Sequence, residues 1–330
     1  MRNDVIRLLV YEGPDRGYPY RMTPERLAAT AARTRVDRFT KATFCDSDDE
    51  FAAAVGDADV VVGWCIPKEI IAAKGSGVRW IQLTGVGVNH LTPLDWLPRG
   101  TELISASGAQ SPTARDTAAM ALLMLNGHMP AIIANQHAKS WQPAFASPIA
   151  GKTALIIGVG SMGHAVADGA ARLGLRVLGI SRNGRARRGV ERMATPETLL
   201  ELLPEADFVV LCPALTGKTA AIMDRAAFAH MKPSAGLINL GRAALIDEAA
   251  LLEALRERRI AGAVLDGYPI EPLPSNSPLW TAPNLILLPH VASGEPPLFM
   301  NNVAAILCDN LRRWRDGKPL KNRISRRHGY

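Results

Sequence analysis

The chain has 330 residues, 48% of them apolar and 21% charged, the balance of a globular protein with a sizeable core, which excludes a disordered or fibrous chain and suggests two domains. Its net charge of +7 admits nucleic acid or an anionic ligand. The basic residues are spread along the chain apart from clusters after Ile180 and from Arg312 to Arg327, and no aromatic-and-basic nucleic-acid motif accompanies them, so an anionic small ligand is expected rather than nucleic acid.

In chain order, short apolar runs predict strands at Ile6 to Tyr11, Ala58 to Trp64, Val78 to Leu83 and Glu102 to Ala106. A helix is expected from Thr23 to Arg33, with Thr23 as its cap and Pro24 at its first position. This is the rhythm of an α/β domain with a parallel sheet. A longer helical run, Thr113 to Leu125, crosses out of it. A second α/β unit follows from Lys152 to His290, with strands at the apolar run ending at Ile157, at Leu175 to Ile180, Phe208 to Cys212, Gly236 to Leu240, Gly262 to Asp266 and Leu285 to Leu288. A helix from about Leu298 to Arg315 comes after this unit is complete and is expected to fold back on the first. The four cysteines, Cys45, Cys65, Cys212 and Cys308, form no C-x-x-C pair and read as buried thiols in a reducing compartment. No signal peptide opens the sequence and no apolar run would span a bilayer, so a cytoplasmic protein without membrane contact is expected. The seven histidines show no usual metal spacing, and no metal is expected.

The strand that ends at Ile157 runs into Gly158-Val159-Gly160-Ser161-Met162-Gly163, and a helical segment from His164 to Leu173 follows. This G-x-G-x-x-G spacing suits a dinucleotide turn. Gly158 permits the tight turn, Gly160 lets the backbone approach a pyrophosphate, and Gly163 lets helix and strand pack closely. The phosphates would sit on the helix N-terminus. After the next strand, an NAD-selective site usually carries Asp or Glu, about 20 residues on, for the ribose 2′-hydroxyl. Here the residues are Ser181-Arg182-Asn183, with Arg185, Arg187 and Arg188 behind them. A guanidinium is a planar, permanently charged donor suited to a 2′-phosphate. NADP is therefore expected in preference to NAD, with NAD still usable.

Three further segments stand at expected strand ends, where open α/β sheets place ligands: Asn239 to Glu248, Leu265 to Pro274 and Leu288 to Ser293. Arg242, Glu271 and His290 supply between them a carboxylate clamp, a group to poise a proton donor, and the donor. At these residues the chain resembles the D-isomer-specific 2-hydroxyacid dehydrogenase family. Asn239 to Ala250 is similar to N-x-G-R-G-x-x-V-D-E-x-A, Leu265 to Pro274 to L-D-V-F-x-x-E-P-L-P, and Pro289-His290 to the P-H signature. The resemblance extends to Trp80 through His90 in the first domain.

The resemblance implies two Rossmann-like or flavodoxin-like parallel-sheet domains with an interdomain active-site cleft. Residues 1–107 and 292–330 would form the substrate-binding domain and 108–291 the dinucleotide-binding Rossmann domain, in a homodimer built on the latter. It implies hydride transfer between the nicotinamide and a 2-keto or 2-hydroxy acid. Arg242 would bind the substrate's carboxylate and keto oxygen, His290 would be the acid/base, and Glu271 would hydrogen-bond the imidazole and favour its charged form. Backbone amides around Val86 and Gly87 would hold the carboxylate. Cys212, Pro213, Thr216, Leu240, Gly241 and Asp266 would join Gly158, Gly160, Ser161, Met162, Gly163, Ser181, Arg182 and Asn183 around the dinucleotide. Among family members the Ser181-Arg182, E-P-L-P and Trp141-Gln142-Pro143 stretches are most similar to NADP-dependent glyoxylate/hydroxypyruvate reductases, and Trp64 and Trp141 are candidate pocket walls. In some of these reductases a Trp before the fingerprint reaches into the partner subunit's pocket. The chain departs from the family pattern at Ala243 for Gly, Gly267-Tyr268 for Val-Phe, Asn89 for Asp and Asp116-Thr117 for Glu-His. Formate dehydrogenases of the superfamily use Gln where Glu271 stands. A bulkier substrate of the phenylpyruvate kind, and a dinucleotide-sensing binding protein on the same fold, are the alternatives.

Overall fold

The computed structural model describes residues 5–13, 20–292 and 294–326. They fall into two compact units, Met1–Ala109 with Glu295–Tyr330, and Gln110–Gly294.

In the first unit five parallel strands, β1 (Ile6–Tyr11), β2 (Thr40–Cys45), β3 (Val60–Gly63), β4 (Trp80–Leu83) and β5 (Glu102–Ile104), lie in the order β2-β1-β3-β4-β5. β3 and β4 are buried along their whole length, as parallel strands covered on both faces must be. Strand β2 has no counterpart among the sequence expectations. It is an edge strand whose Lys41, Ala42 and Thr43 are exposed, so it lacks the apolar run that marks its neighbours. The helix Pro24–Thr34 starts as its sequence predicts: the Thr23 side chain accepts from the Arg26 amide at 3.3 Å, and proline occupies the first turn. The helix Pro296–Arg315 buries Phe299, Met300, Val303, Ala304, Leu307, Cys308 and Leu311, an i, i+3/i+4 stripe. That stripe shares one core with Leu27 and Ala31 of the first helix and with Leu8, Val10, Val60 and Val62 of the sheet.

The second unit adds seven parallel strands, β6 (Thr153–Ile157), β7 (Arg176–Ile180), β8 (Arg192–Ala194), β9 (Phe208–Leu211), β10 (Gly236–Asn239), β11 (Gly262–Leu265) and β12 (Leu285–Leu287), in the order β12-β11-β10-β9-β6-β7-β8. Side chains alternate between two cores: Leu155 and Ile157 enter one, Ala154 and Ile156 the other. Strand β8, again an edge with one exposed and two half-buried residues, is the second strand absent from the expectations. The chain winds one way from β6 through β7 to β8 and the other way from β9 to β12. The crevice beyond the carboxyl ends of β6 and β9 is therefore the topological switch point, where such sheets bind ligands. Among the described residues, no single helix is long and apolar enough to cross a membrane.

Candidate active site

The glycine turn lies at this switch point. Gly158 has φ +91°, and a Cβ there would stand 2.4 Å from the Pro213 backbone, so only glycine serves. A Cβ on Gly163 would meet the Gly158 carbonyl oxygen at 2.2 Å, which fixes the close contact of turn and helix. The helix runs Ser161–Arg172 and is capped by Gly160 without a side chain. It begins three residues before His164 because the third glycine packs inside its first turn. A Cβ built on Gly160, by contrast, meets no atom within 4 Å. These features fit a dinucleotide: a helix N-terminus with no capping side chain, carrying Ser161, Met162 and Gly163, faces the open side of the one fingerprint glycine that packing does not require. Gly160→Ala is expected to leave folding stability within about 1 kcal/mol of wild type while weakening dinucleotide binding about tenfold or more. Thermal unfolding with and without NADPH separates the two, and an unchanged affinity would put the pyrophosphate elsewhere.

The amides of Gly158 and Val159 both donate to the Ile180 carbonyl, at 2.8 and 3.2 Å. That bond brings the end of β7 beside the glycine turn and sets Ser181, Arg182 and Asn183 next to it. Arg182 and Asn183 are exposed. The Ser181 amide is tied to Ala194 at 3.0 Å, and Asn183 Oδ1 accepts from the Arg185 amide at 3.4 Å. Across the switch point, the Cys212 amide donates to Ile157 at 2.8 Å, and burial pushes the Cys212 thiol up to about 12, leaving it a neutral packing group. Thr216 closes the following turn, its amide donating to Thr219 Oγ1 at 2.8 Å.

The catalytic candidates come from the exits of β10, β11 and β12. Beyond β10, the buried Asn239 side chain shapes the turn: its Oδ1 accepts from the Gly241 amide at 2.9 Å and its Nδ2 donates to the Arg242 carbonyl at 3.0 Å. Leu240 is buried. Arg242 is exposed, and the contact of its guanidinium is a long one, Nη1 to the Gly241 carbonyl at 3.5 Å. Beyond β11 and β12, His290 Nδ1 and Glu271 Oε2 are 2.8 Å apart, and Glu271 Oε1 accepts from the Tyr268 amide at 2.9 Å. His290 Nε2 has no hydrogen-bond partner among the described residues, and 43% of the side chain is exposed. Partial burial acts to raise the Glu271 carboxyl, but the hydrogen bonds from His290 and Tyr268 and the charges of His290 and Arg242 outweigh it, leaving the carboxyl below its ordinary range. Glu271 is thus ionised at neutral pH and accepts from a protonated Nδ1, which directs the other imidazole nitrogen outward.

His290 has φ +55°, a left-handed conformation costing a β-carbon residue about 1–3 kcal/mol, held by bonds on both sides. Asp266, 2% exposed, accepts from the Val291 amide at 2.7 Å and the Ala292 amide at 2.8 Å. Burial holds its carboxyl above the usual range even against those two bonds. This anchoring of the loop after His290 escaped the sequence reading, as did the part of Asn239. Both residues sit inside the motifs, but their backbone partners are fixed only by the fold.

Val86, Gly87 and Trp64 belong to the first unit. A Cβ on Gly85 would lie 2.0 Å from the Trp64 ring. The indole therefore covers this turn, and its other neighbour is the His90 ring, 4.2 Å between centroids. Trp141 is elsewhere, in the second unit. At 95% exposure it walls no pocket within that unit.

A glycine turn at the switch point of a doubly wound sheet is the architecture of nicotinamide-dinucleotide oxidoreductases, and comparison with known proteins narrows the class. Residues 119–292 match the model for the NAD-binding domain of D-isomer specific 2-hydroxyacid dehydrogenases. The chain is 32% identical to glyoxylate/hydroxypyruvate reductase B of Pectobacterium carotovorum, over 84% of this chain and 89% of that one. It is 29% identical to the human glyoxylate reductase/hydroxypyruvate reductase, over 78% and 80%. A crystal structure of a D-isomer specific 2-hydroxyacid dehydrogenase from Xanthobacter autotrophicus, in complex with NADPH and MES, superposes with a TM-score of 0.84 at 26% identity, covering 98% of this chain and 99% of the other. The chain belongs to the D-isomer specific 2-hydroxyacid dehydrogenase family. It is an oxidoreductase that uses a nicotinamide dinucleotide.

Proposed function

We propose that the protein reduces a small 2-keto acid, glyoxylate or hydroxypyruvate, with NADPH. The observation that carries this reading is the His290–Glu271 pair, an imidazole oriented through Nδ1 at 2.8 Å and open at Nε2, on the strand exits that also carry Arg242. The dinucleotide, when bound, supplies the hydride to the keto carbon. Arg242 holds the substrate's carboxylate and keto oxygen through its forked N–H groups. His290 gives the Nε2 proton to that oxygen as negative charge develops, and Glu271 holds the imidazole in place through Nδ1. Run in reverse, the same nitrogen takes the proton from a 2-hydroxyl. Asp266, accepting from the Val291 and Ala292 amides, holds the loop beyond His290 and so the backbone from which the imidazole projects. Preference for NADPH rests on Arg182 at the end of β7 and on the missing acidic residue there. Two relatives named for glyoxylate and hydroxypyruvate support the substrate.

A homodimer is part of this reading. Trp141 and Phe145, 95% and 91% exposed on one short segment, are the kind of apolar surface that a second subunit covers. A cytoplasmic setting accords with four cysteines that form no disulfide, although the expectation that all four are buried fails: Cys45 and Cys308 are buried, Cys212 is half-buried and Cys65 is exposed.

The test is a spectrophotometric panel of glyoxylate, hydroxypyruvate, pyruvate and phenylpyruvate, each with NADPH and with NADH. Turnover of glyoxylate or hydroxypyruvate with NADPH at about 1 per second or faster is expected. Activity confined to phenylpyruvate would overturn the substrate, and tight cofactor binding with only trace turnover throughout would favour a dinucleotide sensor.

A further inference from the structure

Tyr268 lies in the second unit between Asp266 and Glu271, where the family pattern quoted above has Phe. Its backbone amide donates to Glu271 Oε1 at 2.9 Å. Its phenolic oxygen lies 3.0 Å from the Leu265 carbonyl, at the end of β11, and 2.9 Å from the Leu288 carbonyl, just past β12. One hydroxyl proton is thus shared between two strand exits, and the second carbonyl belongs to the residue two before His290. The adjoining backbone makes the same connection: the Leu288 amide donates to the Leu265 carbonyl at 2.8 Å, and the His290 amide to the Leu288 carbonyl at 2.9 Å.

We propose that Tyr268 is the positioning residue of the Glu271–His290 pair, its amide orienting the carboxylate and its hydroxyl fixing the backbone from which the imidazole projects. The inference rests on the reading of His290 as the proton donor. Tyr268 does not itself reach the reacting atoms. It removes relative motion between the loops carrying the two partners, so that their 2.8 Å contact is preformed rather than gathered at each turnover. Burial and the neighbouring carboxylates of Asp266 and Glu271 push the phenol up to about 12, so it stays a donor throughout the working pH range. A phenylalanine would keep the ring contacts and the amide but lose the hydroxyl's part of the link between strand exits, leaving only the backbone bond from Leu288 to Leu265.

Tyr268→Phe is the direct test, and the variant should fold. The ring is retained, and each carbonyl keeps its backbone donor, Leu288 for Leu265 and His290 for Leu288. With the saturated holoenzyme, kcat for keto-acid reduction is expected to fall about fivefold to tenfold, less than the roughly hundredfold that an ångström of misplacement can cost. KM for the keto acid and Kd for NADPH are expected to stay within about twofold, the pattern of a loss confined to the chemical step. In proton NMR of the acid form, the low-field resonance of the His290 Nδ1–H should broaden in Y268F through faster exchange. In an E271Q background, where the pair is already broken, adding Y268F should cost kcat little, because the two substitutions act on one unit. An unchanged kcat would overturn the proposal, and so would a loss that reappears in full on top of E271Q. A His290→Ala enzyme as active as wild type would instead remove the proton-donor reading, whatever Y268F does.

Discussion

His290→Ala is expected to lower kcat for keto-acid reduction by about a hundredfold to ten-thousandfold, the usual worth of a positioned general acid, with NADPH affinity held within about twofold because the lost interaction belongs to the chemical step. Within the second unit, the side chain bonded to the imidazole cannot take over as donor. Glu271 is an acceptor whose carboxyl is held below its ordinary range, so at neutral pH it has no proton to give. The fold should survive: the loop is held by Asp266 at Val291 and Ala292, and 43% of the His290 side chain is exposed already. Because residue 290 has φ +55°, His290→Asn is the companion variant, since Asn tolerates the left-handed region. Single-turnover reduction followed at 340 nm, with NADPH titration by fluorescence, gives both quantities. Wild-type rates in both variants would take His290 out of the mechanism.

Arg182→Asp is expected to lower kcat/KM with NADPH by about a hundredfold, near the upper end of what one lost charge-assisted hydrogen bond is worth, and to change it with NADH by no more than about threefold. The asymmetry follows from position. Ile180 is bonded to Gly158 and Val159, so the residues just after it border whatever the glycine turn holds. A guanidinium there matches a 2′-phosphate. A carboxylate repels the phosphate but can accept from a ribose 2′-hydroxyl. Initial rates with each cofactor at subsaturating concentration measure the ratio directly, and equal losses with the two would mean that Arg182 is away from the 2′ position.

The amino-acid sequence by itself determined a great deal here, for identifiable reasons. Fully buried parallel strands such as Thr153–Ile157 must be nearly all apolar, the Gly158 turn admits only glycine, and Thr23-Pro24 carries its own helix start, so each is written in local residue types. Arg242, Glu271 and His290 could be picked out as candidates because each sits at an expected strand end in a stretch that resembles a family motif, not because any one of them is telling alone. Edge strands β2 and β8 were not. One side of each faces water, and the apolar run that marks a central strand is absent. Only the tertiary structure decided what Asn239, Asp266 and Tyr268 do, because each acts by hydrogen bonding to backbone groups whose positions depend on which strands are neighbours. Glu271 and His290 are separated by 19 positions in sequence, and they meet because β11 and β12 pair in parallel register. That pairing is set by burial of the whole sheet rather than by any residue in the loops it aligns.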